Sequence, residues 1–236
     1  MMNDSDRMLL QRIMVCTLRL SRNRVIGAAG AMEDQEVRRL ARKLTGEDMT
    51  ASNVDQMVNK VAENIRPFAL DVRRGMFDNG KMYLAVVNTS NDSLTAFGSN
   101  FKPWEIVFLR TAMEEIVETE EGALEEADLY NLRKSPTKID EVQELLRKLT
   151  AEKWFAPSAV QLPTHSYTLG PRAYLELIAF LRDMQVKKCP ICQYELLQGA
   201  RCQRNCETVA HHGCIEKYEN RGVRYKCPSC ENQMRR

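Results

Sequence analysis

The chain has 236 residues with Lys+Arg 34 against Asp+Glu 32, a formal net charge of +2 that excludes nucleic-acid binding driven mainly by bulk positive charge. No apolar run approaches the roughly 20 residues of a membrane span, and Met1 to Arg24 lacks an apolar segment followed by a small-residue cleavage site. The expectation is an intracellular protein in a reducing compartment, with no membrane contact and one to three small domains.

Leu9, Ile13, Cys16 and Leu20 recur at helical spacing, which predicts a helix over Ser5 to Leu20 with Cys16 as a small core residue. A second helix is expected from Asp34 to Leu44, stopped at Gly46. A third carries the stripe Val54, Met57, Val58, Val61 and Ile65, with Ser52 and Asp55 as a capping box and Pro67 ending it. The period then changes. Phe68, Leu70 and Val72 alternate with polar residues, Asp78-Asn79-Gly80 makes a turn in which Asn79 and Gly80 supply positive φ angles, and Met82 to Val87 favours a strand. Three helices and a hairpin predict a winged-helix unit.

Asn88 to Asn100 reads as a linker. Pro103 suits the first turn of a helix running to about Val117, bearing Trp104, Val107, Phe108 and Ile116. Glu118 to Glu126 reads as a solvated helix end and loop. A helix from Thr137 to Leu149 precedes the apolar pair Trp154-Phe155 and a strand around Ser166 to Leu169. The order repeats, which predicts a second winged helix. A last helix, Arg172 to Asp183, leads into Cys189 and is expected to hold the C-terminal segment. The fold class is therefore mainly α with small β-hairpins: winged-helix units over 1–98 and 99–186, then a zinc domain over 187–236.

That last segment holds seven of the eight cysteines and two of the three histidines, and is mildly basic. Cys189, Cys192, Cys202, Cys206, His211 or His212, Cys214, Cys227 and Cys230 make eight ligands, enough for two tetrahedral zinc ions. Cys189-x2-Cys192 and Cys227-x2-Cys230 have the gap that turns both thiolates toward one metal, and Cys202-x3-Cys206 permits it. His211 reproduces the two-residue gap to Cys214, whereas His212 leaves one residue; His211 is the expected ligand. A disulfide framework is disfavoured by the odd cysteine count in this segment, the interspersed histidine and the missing secretory signal. Spacing alone leaves two wirings open: consecutive pairs share a metal, or first with third and second with fourth.

The order of four cysteines, one histidine and three cysteines resembles RING-variant and PHD modules. That resemblance implies the interleaved cross-brace, with Cys189, Cys192, His211 and Cys214 on one zinc and Cys202, Cys206, Cys227 and Cys230 on the other. Arg66-Pro67-Phe68 leading into a hairpin ending Val87-Asn88-Thr89, then Tyr167-Thr168-Leu169-Gly170, Tyr174-Leu175-Glu176-Leu177 and the zinc module occur in one order. Together they are similar to the non-SMC element one family, the RING-like subunits of the SMC-five/six chromosome-maintenance complex. The resemblance implies tandem winged helices and a variant RING. It also implies a MAGE-type winged-helix partner, a kleisin subunit, and ubiquitin ligation in DNA repair and recombination in the nucleus. By analogy with RING surfaces, Ile191, Tyr225 and Pro228 would contact the ubiquitin-conjugating enzyme. Glu231 stands where many strong RING ligases carry a basic residue, so partner-dependent activity is expected.

Three other classes compete. A PHD-type histone reader shares the ligand order, but would show a tryptophan shortly before Cys227, where Tyr225 stands. A structural subunit would use zinc only to fold its tail. DNA binding would rest on the two units and on Arg38, Arg39, Arg42, Lys43, Arg73 and Arg74, a charge run of the kind that usually forms a solvated face. Metabolic catalysis finds no support: there is no phosphate-cradling glycine loop, and His165 lies in a loop without an evident partner.

Overall fold

The computed structural model describes residues 3–15, 19–21, 24–26, 30–46, 50–89, 101–160, 162–204 and 206–235. Helix α1 (Asp4–Val15) opens on a reciprocal cap, Asp6 N donating to Asn3 Oδ1 at 2.7 Å and Asn3 N to Asp6 Oδ2 at 3.1 Å. It ends before the expected Leu20. Strand β1 (Arg19–Ser21) pairs instead with β2 (Arg24–Ile26), antiparallel with Leu20 opposite Val25. Cys16 lies outside the described residues.

After β3 (Met32–Glu33), α2 (Asp34–Thr45) stops at Gly46, whose φ of 71° lets its N–H bond the Arg42 carbonyl. Helix α3 (Ala51–Ile65) buries the expected stripe, but its cap is Thr50, which accepts from Asn53 N; Ser52 already lies inside the helix, so no capping box forms there. A 3-10 turn over Arg66–Phe68 comes next, and Phe68, expected in a strand, is 75% exposed. Ala69, at φ 56°, turns the chain into β4 (Leu70–Met76), which pairs with β5 (Met82–Asn88) in a sheet ordered β3-β5-β4.

The hairpin turn differs from expectation. Gly80 N bonds Phe77 O at 2.8 Å and Phe77 N bonds Lys81 O at 3.0 Å, while only Gly80 of the Asn79-Gly80 pair has a positive φ, 73°. This is a three-residue loop with a glycine bulge, and Asn79 caps it through Oδ1 to Lys81 N.

Most of the expected linker, 90–100, lies outside the described residues. Helix α4 (Pro103–Glu118) starts at its proline, with Glu105 bonding back to Lys102 N at 2.8 Å. The acidic stretch is not a plain solvated loop: β6 (Leu124–Glu125) and α5 (Glu126–Asn131) form there because Ala123, Leu124 and Leu129 are buried. Helix α6 (Ile139–Ala151), β7 (Phe155–Pro157) and β8 (Ser166–Leu169) complete a second sheet, ordered β6-β8-β7. The expected single last helix is two, α7 (Pro171–Glu176) and α8 (Ile178–Asp183), broken at Leu177, where φ −107° and ψ 30° are not helical.

The C-terminal segment adds β9 (Ala200–Cys202), β10 (Val209–Ala210), α9 (His212–Glu219) and β11 (Met234–Arg235), with sheet order β10-β9-β11. One hairpin serves three cores. Leu84 packs with Leu9, Val37 and Val54; Phe77 enters the core of Leu109, Ile116, Trp154 and Leu169; Met76 joins Leu196, Ile215 and Met234. Strand alternation sends neighbours Met76 and Phe77 to opposite sides. No helix among the described residues is long and apolar enough to cross a membrane.

Candidate metal centre

The two Cys-Pro-x-Cys segments fold alike. In the first, Gln193 N bonds Cys189 O at 2.8 Å and Cys189 N bonds Tyr194 O at 2.9 Å; in the second, Glu231 N bonds Cys227 O and Cys227 N bonds Asn232 O, each at 2.8 Å. Gln193 (φ 64°) and Glu231 (φ 58°) take the left-handed position that closes each turn, and the bridges Lys188 to Glu195 and Lys226 to Gln233 clamp the flanks. Each turn aims two thiols at one point.

His211 directly precedes α9, where Cys214 N and Ile215 N both bond its carbonyl at 3.1 Å. That first turn carries Cys214 beside the imidazole. The structure brings together Cys189, Cys192, His211 and Cys214, and separately Cys202, Cys206, Cys227 and Cys230; within each set the donor atoms lie within 4.8 Å of one another. Cys192 Sγ is 3.3 Å and Cys214 Sγ 3.8 Å from His211 Nδ1, while Cys202 to Cys230 is 3.2 Å and Cys206 to Cys227 is 3.3 Å. First pair meets third, and second meets fourth. All seven of these cysteines are unlinked. His212 is exposed and belongs to neither set.

Both sets could hold a metal ion, and the donor chemistry fits one. Cys189 is held well below the ordinary thiol range by hydrogen bonds from Cys192 and Cys214, whereas Cys189 and Cys192 push Cys214 well above it. Burial lowers the His211 pKa, yet its bonds to Cys189 and Cys192 outweigh that and raise it to about 9. Sulfurs this crowded need positive charge among them, which bound protons or a divalent cation would supply. His211 is fully buried, and its Nε2 has no hydrogen-bond partner.

The module is seated by contacts that sequence reading missed. Gln198 donates from Nε2 to Ser158 Oγ at 2.7 Å and to Glu121 O at 3.2 Å, and its Oε1 accepts from Ala159 N at 3.0 Å. Asp78, in the hairpin turn, accepts from Tyr174 Oη at 2.9 Å and from Leu197 N at 3.2 Å; burial pushes its carboxyl up to about 6 against those bonds. Gly80 lies so near Gly213 that an added Cβ would sit 2.8 Å from Gly213 Cα. Arg182 Nε reaches Glu195 at 3.0 Å. An aspartate before Asn-Gly reads as a turn residue, so the sequence carried no signal of its burial.

Ile191 and Tyr225 are half-buried against the module's core, and Pro228 is exposed. Tyr225 packs edge-on to Tyr218 with centroids 5.2 Å apart, and burial, then Cys189 and Cys227, push its phenol up to about 12. Tyr218 (38% exposed) and Val223 (59%) extend the apolar surface on this side. For Tyr218 the signal was its spacing from Cys214, one helical turn on. Arg73 and Arg74, offered as DNA contacts, bond Leu175 O at 3.1 Å and Asp55 Oδ1 at 2.8 Å.

Comparison with known proteins places these features in a family. The sequence model described as the Nse1 non-SMC component of the SMC5-6 complex matches residues 6–134, more than half of the chain. The chain is 27% identical over 214 residues to the non-structural maintenance of chromosomes element 1 homolog of Rattus norvegicus, covering 86% of this chain and 78% of that protein. Against the Homo sapiens protein of the same name the identity is 26%, with the same coverage. A chain of the solved Nse1-Nse3-Nse4 complex matches with a TM-score of 0.74 and 25% identity, over 99% of this chain and 97% of that one.

Proposed function

The chain belongs to the Nse1 family of non-SMC components of the SMC5-6 complex, and on that premise we propose that it is a RING-type ubiquitin-protein ligase subunit of that complex, acting in nuclear DNA repair and recombination. The observation that carries this reading is the interleaved pairing of its eight donors. Consecutive pairing would give two separate knuckles; interleaving ties both ends of the module together around two zinc ions, as in a RING cross-brace. Residues 1–98 and 99–186 are proposed as tandem winged helices, since each runs helix, short strand, two helices and an antiparallel strand pair, with the short strand joining that pair in a three-stranded sheet. Residues 187–236 are the RING. The match to a chain of an Nse1-Nse3-Nse4 complex supports a MAGE-type Nse3 and a kleisin Nse4 as the partners.

Such a module supplies no covalent nucleophile. It holds a charged conjugating enzyme so that the thioester faces the attacking lysine, an orientation effect. Ile191, Tyr225 and Pro228, with Tyr218 beside Tyr225, are the proposed contact. Glu231 is committed to its turn at φ 58° and offers no positive charge, consistent with transfer that depends on a partner. The test is single-turnover discharge of a panel of ubiquitin-charged conjugating enzymes onto free lysine, with the MAGE-type partner present. Ile191→Ala should keep two zinc ions and partner binding yet slow discharge at least fivefold. Equal rates would leave a structural subunit, a reading that the close seating of the module through Gln198 and Asp78 also accommodates.

A further inference from the structure

The first donor set contains a buried imidazole with one ring nitrogen, Nε2, that nothing bonds. Buried donors without partners are rare, and a metal-ligating histidine nearly always passes its second N–H to a carboxylate, a carbonyl or a water. Across the Gly80–Gly213 contact lies a carboxylate whose burial has no ion pair to offset it among the described residues. Asp78 is 7% exposed and its donors are neutral: the Tyr174 hydroxyl and the backbone amides of Leu197 and Gln198. It precedes Gly80 by two positions, as His211 precedes Gly213, and the two glycines touch. Asp78 also lies within electrostatic reach of His211.

We propose that Asp78, carried on the hairpin turn of the first unit, is the outer partner of His211 through one bridging water, fixing the tautomer that leaves Nδ1 for the metal. Of the carboxylate's roughly four lone-pair sites, Tyr174, Leu197 and Gln198 take three, which leaves one for a water. Both glycines are required because a side chain at either would hold the turn away from the helix start. Asp78 is thus a positioning residue, and a hairpin over 100 residues away in sequence becomes part of the metal site.

This rests on the reading that the Cys189, Cys192, His211 and Cys214 set binds zinc, and the experiment keeps the two apart. Full-length protein carrying Asp78→Asn, Gly213→Ala or Tyr174→Phe is mixed with excess 4-(2-pyridylazo)resorcinol, and zinc transfer to the dye is followed. Cadmium-113 spectra of exchanged protein distinguish the three-sulfur, one-nitrogen site from the four-sulfur site. Asn keeps Oδ1 to accept from Leu197 N and can donate from Nδ2 to the Tyr174 hydroxyl oxygen, and alanine favours helix at position 213, so neither change should unfold the chain. The expected result is that Asp78→Asn and Gly213→Ala each speed release of one zinc about 10-fold or more and shift only the nitrogen-bearing cadmium signal. Tyr174→Phe, which leaves the carboxylate in place, should change neither rate by more than about twofold. Two zinc ions released at wild-type rates in Asp78→Asn, or both accelerated equally, would overturn the inference while leaving the zinc reading intact. Wild-type protein without zinc would overturn both.

Discussion

Replacing Gln198 by alanine tests whether the zinc module is seated by its hydrogen bonds or merely tethered by the chain. Gln198 is 5% exposed and joins three well-made bonds, to Ser158 Oγ (2.7 Å), Glu121 O (3.2 Å) and from Ala159 N (3.0 Å). Each bond contributes about 1 kcal/mol net, so losing the three should cost about 3 kcal/mol at this contact. At about 1.4 kcal/mol per factor of ten, the opening that exposes these amides becomes roughly 100-fold more populated. Amide hydrogen exchange of Ala159 and of residues 196–202 reads that population, with zinc content measured in parallel and expected unchanged. Gln198→Glu should loosen the contact at least as much, because a carboxylate would face the Glu121 carbonyl and keep no donor for it. Exchange accelerated less than about fivefold in Gln198→Ala would refute the reasoning, showing that water replaces the amide at no cost.

The remaining predictions concern the ligands and the rim. His211→Ala should reduce the zinc content from two to one by metal analysis, while His212→Ala keeps both, since only His211 sits among thiols. Arg182→Ala should shift the urea midpoint by less than the equivalent of about 1 kcal/mol despite its 3.0 Å pair with Glu195, because the arginine side chain is 59% exposed and its attraction is screened.

Periodicity carried the helices well where one face is buried, as in α3, whose stripe lies in the core from Val54 to Ile65. It failed at Val15 and Leu177, where the pattern continues but the backbone does not. The first helix gives way to the β1–β2 pair, and on both sides of the break Ala173, Tyr174, Leu177 and Leu181 stand in one core. It missed β3 and β6 altogether, because two-residue strands exist only through their partners, Leu84 with Met32 and Tyr167 with Leu124. The donor residues were legible because metal chemistry restricts both residue type and gap. Their wiring was not, since identical spacings serve either arrangement and only the path of β9 and α9 decides it. Asp78 and Gln198 were invisible for a different reason: their role lies in long-range pairing, and both types are ordinary at a turn or surface.

Those two residues bear on what the zinc module can do. Its core holds Leu196, Ala200, Val209, Ala210, Ile215 and Met234 with the cysteines, and Met76 from the hairpin completes it. So few aliphatic side chains do not outweigh the entropy of ordering some fifty residues, so the module's folding draws on its neighbours, and a metal held by either donor set would add to it. The neighbours then also set its orientation. The hairpin supplies Met76 to the module, Phe77 to the second core and Leu84 to the first, and Phe77 is locked edge-on against Tyr174 at 5.7 Å. A rotation of the hairpin by a few degrees would have to break packing in all three cores at once. A partner bound to either helical unit therefore acts on a body to which the C-terminal module is fixed, through this strand pair together with the Gln198, Tyr174 and Arg182 contacts rather than through a flexible leash.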